Sequence, residues 1–374
     1  MVSEKTASLF QDFSLKGIQL QNRMSVSPMT RISGTEDGQV TDRMVRYYER
    51  YAKGGFSLVF TEGLYPDEPH SQGYFNQPGI ASEEQAAGWE PVIQAVHQHG
   101  SAIFAQLMHA GALSQDNPRT ETRIAPSPVE PKGEQLAMYG GSGKFPVPQE
   151  ITKQQINQVI TSFANSATRA RNAGFDGVEI HGANGYIVDQ FLTDYTNQRT
   201  DEYGGSLTNR LRFAQEVIRA VRNAIGSDFP LSIRISQSKI NDFSHQWAGG
   251  EDDAAIIFES IAEAGVDIIH ITEYDATQPA FGMGLSLAGL AKKYGKLPVI
   301  ANGHLEDPEK AAKLVDAGDA DLITLGKGAL ANPDWPNRVK EGSPLKDFNS
   351  ELLDPQAYIK DQELSSARYM NNSE

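Results

Sequence analysis

The 374-residue chain has no cysteine. It therefore offers no ligands for a cysteine-bound iron–sulfur cluster or a Cys-type structural zinc, and no thiol nucleophile. Long apolar runs are missing too. No stretch approaches the roughly 18 residues that a bilayer span requires, and residues 1–10 lack a basic stretch leading into an apolar one. Neither a membrane anchor nor a signal peptide is expected, and cytoplasmic is the expected location. Positive charge is scarce. Lys and Arg total 33 against 48 Asp and Glu, a formal charge of −15. That balance disfavours nucleic acid or an anionic membrane as partner, while leaving room for a small local anion site.

What is present is a repeated pattern. Hydrophobic residues make up 39% of the chain, enough for a sizeable core. Short apolar runs recur at residues 24–29, 56–61, 102–107, 175–180, 231–235, 267–271, 297–301 and 321–325. They are rich in Val, Ile and Phe without strict alternation, as strands buried on both faces are. Amphipathic helical patterns lie between most of them. In residues 207–225 one stripe holds Leu207, Leu211, Ala214, Val217, Ile218, Val221 and Ile225. Another helix opens at Asp307-Pro308-Glu309, a capping aspartate before a first-turn proline.

Length alone would allow two or three domains, but eight strand–helix units predict one closed (β/α)8 TIM barrel over residues 1–343. A Pro-, Gly- and Ser-rich insertion at about residues 112–150 is expected to form a lid or hairpin after the third strand. A second polar connection spans residues 193–205. Residues 344–374 carry no strand signal and are expected to form a tail, either a capping or subunit-contact segment or a surface extension.

The active site of such a barrel lies at the carboxyl ends of its strands. There the sequence places Thr30, Arg31, Glu62, Gly63, Gln106, His109, His181, Asn184, Tyr186, Arg234, Glu273, Asn302, Gly303, Gly326 and Lys327. Loops after strands seven and eight of many barrels bind phosphate. Gly303 and Gly326 would let the backbone approach an anion, and Lys327 would supply charge; the alternative is two tight turns and a solvated lysine. His181 and Asn184, three residues apart on a loop or first helical turn, can converge on one oxygen. Tyr186 adds a phenol, of ordinary pKa near 10, that can give a proton to a carbanion. A metal held by His109, His181, Glu62 or Asp189 is the competing reading, but no HExxH spacing supports it, and no metal is expected. His97 and His99, in a helix before the third strand, are expected to be structural.

These residues form an ordered set of motifs. Asn22-Arg23-Met24 leads to Ser27-Pro28-Met29-Thr30-Arg31, followed by Ala105-Gln106-Leu107-Met108-His109-Ala110-Gly111. Then come Glu179-Ile180-His181-Gly182-Ala183-Asn184-Gly185-Tyr186, Gln190-Phe191-Leu192, and the run from Asn197-Gln198-Arg199-Thr200-Asp201 through Tyr203 to Asn209-Arg210. In this order and at these barrel positions, the chain resembles the old yellow enzymes, FMN-dependent NAD(P)H oxidoreductases and ene-reductases, from about Leu15 to Arg338.

The resemblance implies FMN as cofactor, NADPH or NADH as reductant and an α,β-unsaturated carbonyl (or nitro) compound as substrate, in a ping-pong cycle. It implies that Pro28, Met29 and Thr30 hold the flavin ring, Gly63 lines it, Gln106 pairs with its pyrimidine edge and Arg234 lies near N1 and O2. Gly303, Gly326 and Lys327 would carry the phosphate. His181 and Asn184 would bind the substrate carbonyl, and Tyr186 would protonate the α-carbon after hydride arrives from flavin N5. The expected assembly is a monomer or homodimer. The chain departs from the family pattern in places. Lys327 stands where many relatives have arginine, Met108 where yeast-type members have tryptophan, and Thr30 where the thermophilic-like branch has cysteine. Without cysteine it also differs from the iron–sulfur dienoyl-CoA reductases and trimethylamine dehydrogenase.

Overall fold

The computed structural model describes residues 2–365, so residues 366–374 of the expected tail lie outside the described residues. Eight parallel strands close into a barrel in sequence order: β1 (Met24–Val26), β2 (Leu58–Leu64), β3 (Ala102–Leu107), β4 (Gly177–Asn184), β5 (Leu231–Lys239), β6 (Ile268–Thr272), β7 (Val299–Asn302) and β8 (Leu322–Leu325). Helices α1 (Asp42–Lys53), α2 (Glu90–His97), α3 (Lys153–Ala173), α4 (Leu207–Ile225), α5 (Glu251–Ala264), α6 (Leu287–Gly295) and α7 (Pro308–Asp316) connect them. This is the (β/α)8 barrel that the apolar runs predict. Among the described residues no helix is long and apolar enough to cross a membrane.

The helix patterns translate directly. In α4, Ser206 accepts the Asn209 backbone N–H as N-cap, and the stripe from Leu211 to Ile225 is buried against the barrel. Asp307 caps α7 through the N–H groups of Glu309 and Lys310, with Pro308 at the first helical position. Strand limits differ more. β4 runs past its apolar part to Asn184 because the ladder continues at the rim, pairing His181 with Arg234 and Asn184 with Lys239. His181 and Asn184 thus stand on the strand itself, a correction to the loop or helical turn expected for them. β1 stops early because Pro28 has no N–H to donate.

Two apolar layers hold the barrel. The larger lies between strands and helices. The smaller fills the interior with Leu58, Phe60, Phe104, Ile268, Ile300 and Leu322, and is covered from the amino end by Leu15 and Leu20 of the hairpin Phe13–Leu15/Ile18–Leu20. With that end plugged, the barrel can open only where the strands finish.

The insertion is not a hairpin: its two short strands, Ile124–Ala125 and Gln149–Glu150, pair in parallel. Its middle turn, Ala137–Tyr139, brings Leu136, Met138 and Tyr139 to the barrel mouth. The tail returns across the same region. The Ala357 N–H donates to Met138 O at 2.9 Å. Glu363, in the short helix Asp361–Leu364, enters a buried cluster with Arg31 and Arg50 of α1.

Candidate active site

The carboxyl ends of the strands surround a cavity of about 480 Å³, within the range of small-molecule and cofactor sites. All twelve residues assigned from sequence line it: Pro28, Met29, Thr30, Gly63, Gln106, His181, Asn184, Tyr186, Arg234, Gly303, Gly326 and Lys327. The ladder sets their order, since each strand delivers its last inward residues to the same rim.

His181 and Tyr186 are nearly fully buried, with ring centroids 4.9 Å apart. Burial, then the charge of Arg234 and the His270 ring, hold His181 well below the ordinary histidine value. Its imidazole is therefore neutral, with one N–H to donate, and Nδ1 has no partner among the described residues. Asn184 sits at φ +62°, a conformation that asparagine tolerates better than most residues. Its backbone is tied down at both ends, the N–H to Ser236 Oγ and the carbonyl to the Ile240 N–H. That leaves the amide side chain at the cavity wall. The Tyr186 hydroxyl lies 2.6 Å from the Tyr74 hydroxyl. Burial pushes the Tyr186 phenol up to about 12, with Tyr74 and Arg234 opposing, so it keeps its proton at neutral pH. Tyr74 in turn lies against the Tyr139 ring of the insertion, at 4.5 Å.

Arg234 is His181's neighbour in the ladder. Burial lowers its guanidinium to about 10, leaving it a cation at neutral pH. Its Nη2 reaches Thr272 Oγ1 and Asn302 Oδ1, both at 3.2 Å, while Nε has no partner among the described residues. At the far side, Gly303 has φ +135°, and a Cβ there would lie 2.3 Å from the Glu273 carbonyl oxygen, so no other residue fits. A Cβ on Gly326 would meet Met29 Sδ at 3.7 Å and Ser27 Cβ at 3.9 Å, ordinary contacts within the cavity wall. Lys327 is exposed, with its ammonium 5.9 Å from the Phe348 ring and no ion pair among the described residues.

Residues 8–346 match the model of the NADH:flavin oxidoreductase / NADH oxidase family. The chain belongs to that family of flavin-dependent oxidoreductases, the old yellow enzymes. It is 33% identical over 345 residues to an NADH oxidase of Thermoanaerobacter brockii, covering 90% of this chain and 51% of that one. It is 36% identical over 341 residues to a probable flavin mononucleotide-dependent alkene reductase of Leishmania infantum, covering 88% and 89%. The chain spans about half the length of that NADH oxidase and of a metal reductase from Desulforamulus reducens. Among solved structures, the old yellow enzyme homologue of Zymomonas mobilis superposes with TM-score 0.85 at 30% identity, over 96% of this chain and 98% of that one. Morphinone reductase in complex with tetrahydroNAD gives 0.82 at 29%, over 92% and 94%.

The cavity has what an old yellow enzyme flavin needs. Arg234 is a buried cation with a free N–H, Gln106 an amide on the cavity wall, Gly326 a gap beside Met29, and Lys327 an exposed cation on the cavity lining. Of the four residues weighed as metal ligands, all but His181 have hydrogen-bond partners of their own. Asp189 accepts from Lys239 Nζ at 2.8 and 2.9 Å and from the Gly185 N–H at 2.6 Å. Glu62 accepts from the Arg31 N–H and the Tyr48 hydroxyl, and His109 Nδ1 accepts from the Gly111 N–H. Among the described residues no group of three such side chains could hold a metal ion. His97 pairs with Asp176 and His99 with Glu49, away from the site.

Sequence reasoning missed Tyr74, the exposed Phe243 and Tyr274 at the mouth, and Leu353 of the tail. It also gave no role to Glu179, quoted only as part of a motif, and missed His270; both lie beneath the cavity inside apolar runs. The loop residues follow no period. The only available signal for the last two was a charged or titratable residue within a strand buried on both faces.

Proposed function

We propose that this cavity holds FMN and that the chain reduces the activated C=C bond of α,β-unsaturated carbonyl compounds, and nitro compounds, with NADPH or NADH as reductant. One observation carries the reading. A neutral His181 and the Asn184 amide are hydrogen-bond donors on the wall of the cavity, beside a protonated Tyr186, with the cationic Arg234 next to His181 in the ladder. The names of the alkene reductase relative and of the tetrahydroNAD-bound neighbour support it.

Bound FMN would supply the hydride, taken from the nicotinamide and passed to the substrate β-carbon. The protein's part is electrostatic and positional. His181 and Asn184 would aim two neutral donors at the carbonyl oxygen where negative charge develops, each worth roughly 3–4 kcal/mol when well placed. Being neutral, His181 adds no charge to compete with Arg234. Tyr186, held by Tyr74, would deliver its proton to the α-carbon, a carbanion basic enough to take it from a phenol of raised pKa. Pro28, Met29, Thr30, Gly63 and Gln106 would hold the ring, and Gly303, Gly326 and Lys327 the phosphate. The barrel and the tail would act as one unit, as monomer or homodimer.

The test is spectroscopic. Purified protein should be yellow, release FMN on denaturation, bleach on anaerobic mixing with NADPH or NADH, and recover its colour with 2-cyclohexenone. A colourless protein that takes up no FMN would sink the proposal.

A further inference from the structure

Glu179 stands between Gln106 and Ser232 in the β3–β4–β5 ladder, fully buried under the cavity. Its Oε1 accepts from Gln106 Nε2 at 2.9 Å, and its Oε2 accepts from Ser232 Oγ and His270 Nδ1, both at 2.8 Å. Burial alone would push this carboxyl up. His270, Arg234 and the Ser232 hydroxyl outweigh burial and hold it below the usual carboxylate range. Stability does not call for a charge here: a well-packed apolar side chain would avoid the desolvation cost. His270, kept neutral mainly by burial, leaves its Nε2 unpartnered among the described residues, a further cost in the same cluster.

We propose that Glu179 is a positioning residue for bound flavin, acting by orienting the Gln106 amide and by offsetting the Arg234 guanidinium. The inference rests on the FMN reading above. A carboxylate only accepts hydrogen bonds, so Gln106 must turn its NH2 group to Glu179 and leave its carbonyl oxygen for the cavity it lines. That oxygen is an acceptor for the imide N–H on the pyrimidine edge of a flavin. An amide free to rotate would present either end.

The second action is through charge. Arg234 has no carboxylate within ion-pair distance among the described residues, and Glu179 is the leading negative charge acting on it. Two-electron reduction leaves negative charge on the flavin ring, which Arg234 attracts. By offsetting Arg234, Glu179 keeps the bound flavin harder to reduce than the guanidinium alone would make it.

Glu179→Gln keeps the shape, removes the charge and lets residue 179 donate as well as accept. FMN is titrated into the apoprotein, and the midpoint potential of bound FMN is read against a reference dye. Binding should weaken roughly tenfold, the scale of one hydrogen bond. The reduction equilibrium should move roughly tenfold toward the reduced form, about 30 mV for a two-electron couple. Ser232→Ala removes one bond to Glu179 without altering charge and should weaken FMN binding roughly two- to threefold. With Gln106→Leu already in place, Glu179→Gln should still shift the potential but no longer change affinity. Unchanged affinity in Ser232→Ala, with Glu179→Gln either unchanged in affinity and potential or unfolded, overturns the positioning role. A wild-type protein that takes up no FMN overturns the functional reading instead.

Discussion

Arg199 and Arg234 are both buried arginines, and their surroundings are opposite. Arg199 sends Nε and Nη2 to the two oxygens of Asp201, at 3.0 and 2.7 Å, and Nη1 to the carbonyls of Pro126 and Ile151. It ties the connection after β4 to both strands of the insertion. The Asp201 hydrogen bond raises its pKa. Arg234 makes two long contacts to neutral oxygens, keeps an unpartnered Nε and is lowered by burial. The sequence singles out both, Arg199 within a motif and Arg234 at a strand end. The fold satisfies the first and leaves the second unsatisfied, and that difference separates a residue that holds the structure from one held ready for a ligand.

The sharpest way to break the comparison is to remove each side chain. Arg199→Leu should cost about 3–5 kcal/mol of stability, because Asp201 and two carbonyls lose their buried partner, while the folded fraction still binds FMN. Arg234→Leu should leave the apoprotein melting temperature unchanged or raised. It should slow flavin reduction by NAD(P)H roughly 10²–10³-fold, the scale of one lost electrostatic stabiliser. Equal loss of melting temperature in both variants would remove the distinction.

A smaller effect is expected at the donors. His181→Ala and Asn184→Ala should each weaken binding of a phenol, whose phenolate oxygen mimics a developing enolate, by roughly 10–100-fold. FMN should stay bound, which a flavin-absorbance titration with the phenol would show. Unchanged phenol affinity in both variants would refute the assignment.

The histidines give the smallest and most direct contrast. His97, hydrogen-bonded to Asp176, has a raised pKa; His181, without a partner and buried, has a lowered one. Any stability that His97 contributes is present below its unfolded value near 6.5 and is lost as pH rises through its folded pKa. For His181 the unfolded chain binds the extra proton, so stability falls as pH drops below about 6.5. Imidazole NMR should show His97 titrating above that value and His181 well below it. A His181 midpoint near 6.5 would contradict the buried, neutral assignment.

The barrel was legible because its strands are buried on both faces, which leaves compact apolar runs at every turn of the pattern. Their rim ends were less so. β2, β4 and β5 continue into Glu62-Gly63-Leu64, His181-Gly182-Ala183-Asn184 and Ser236-Gln237-Ser238-Lys239, where function has replaced apolar residues with polar ones. The site was legible as a set of positions, since a closed barrel brings all strand ends together whatever the loops do. Its environment was not. Nothing local marks Tyr74 as the partner of Tyr186, or Lys239 as the partner of Asp189. The parallel pairing within the insertion depends on contacts that no periodicity encodes.

Glu363 has a consequence for how the protein is made. It grips Arg31 across 332 residues of sequence, so the cavity wall that Arg31 lines waits for residue 363 to leave the ribosome. Until then Arg31 and Arg50 are two guanidiniums without the carboxylate they share. The growing barrel can assemble its strands in order, but it cannot finish its mouth.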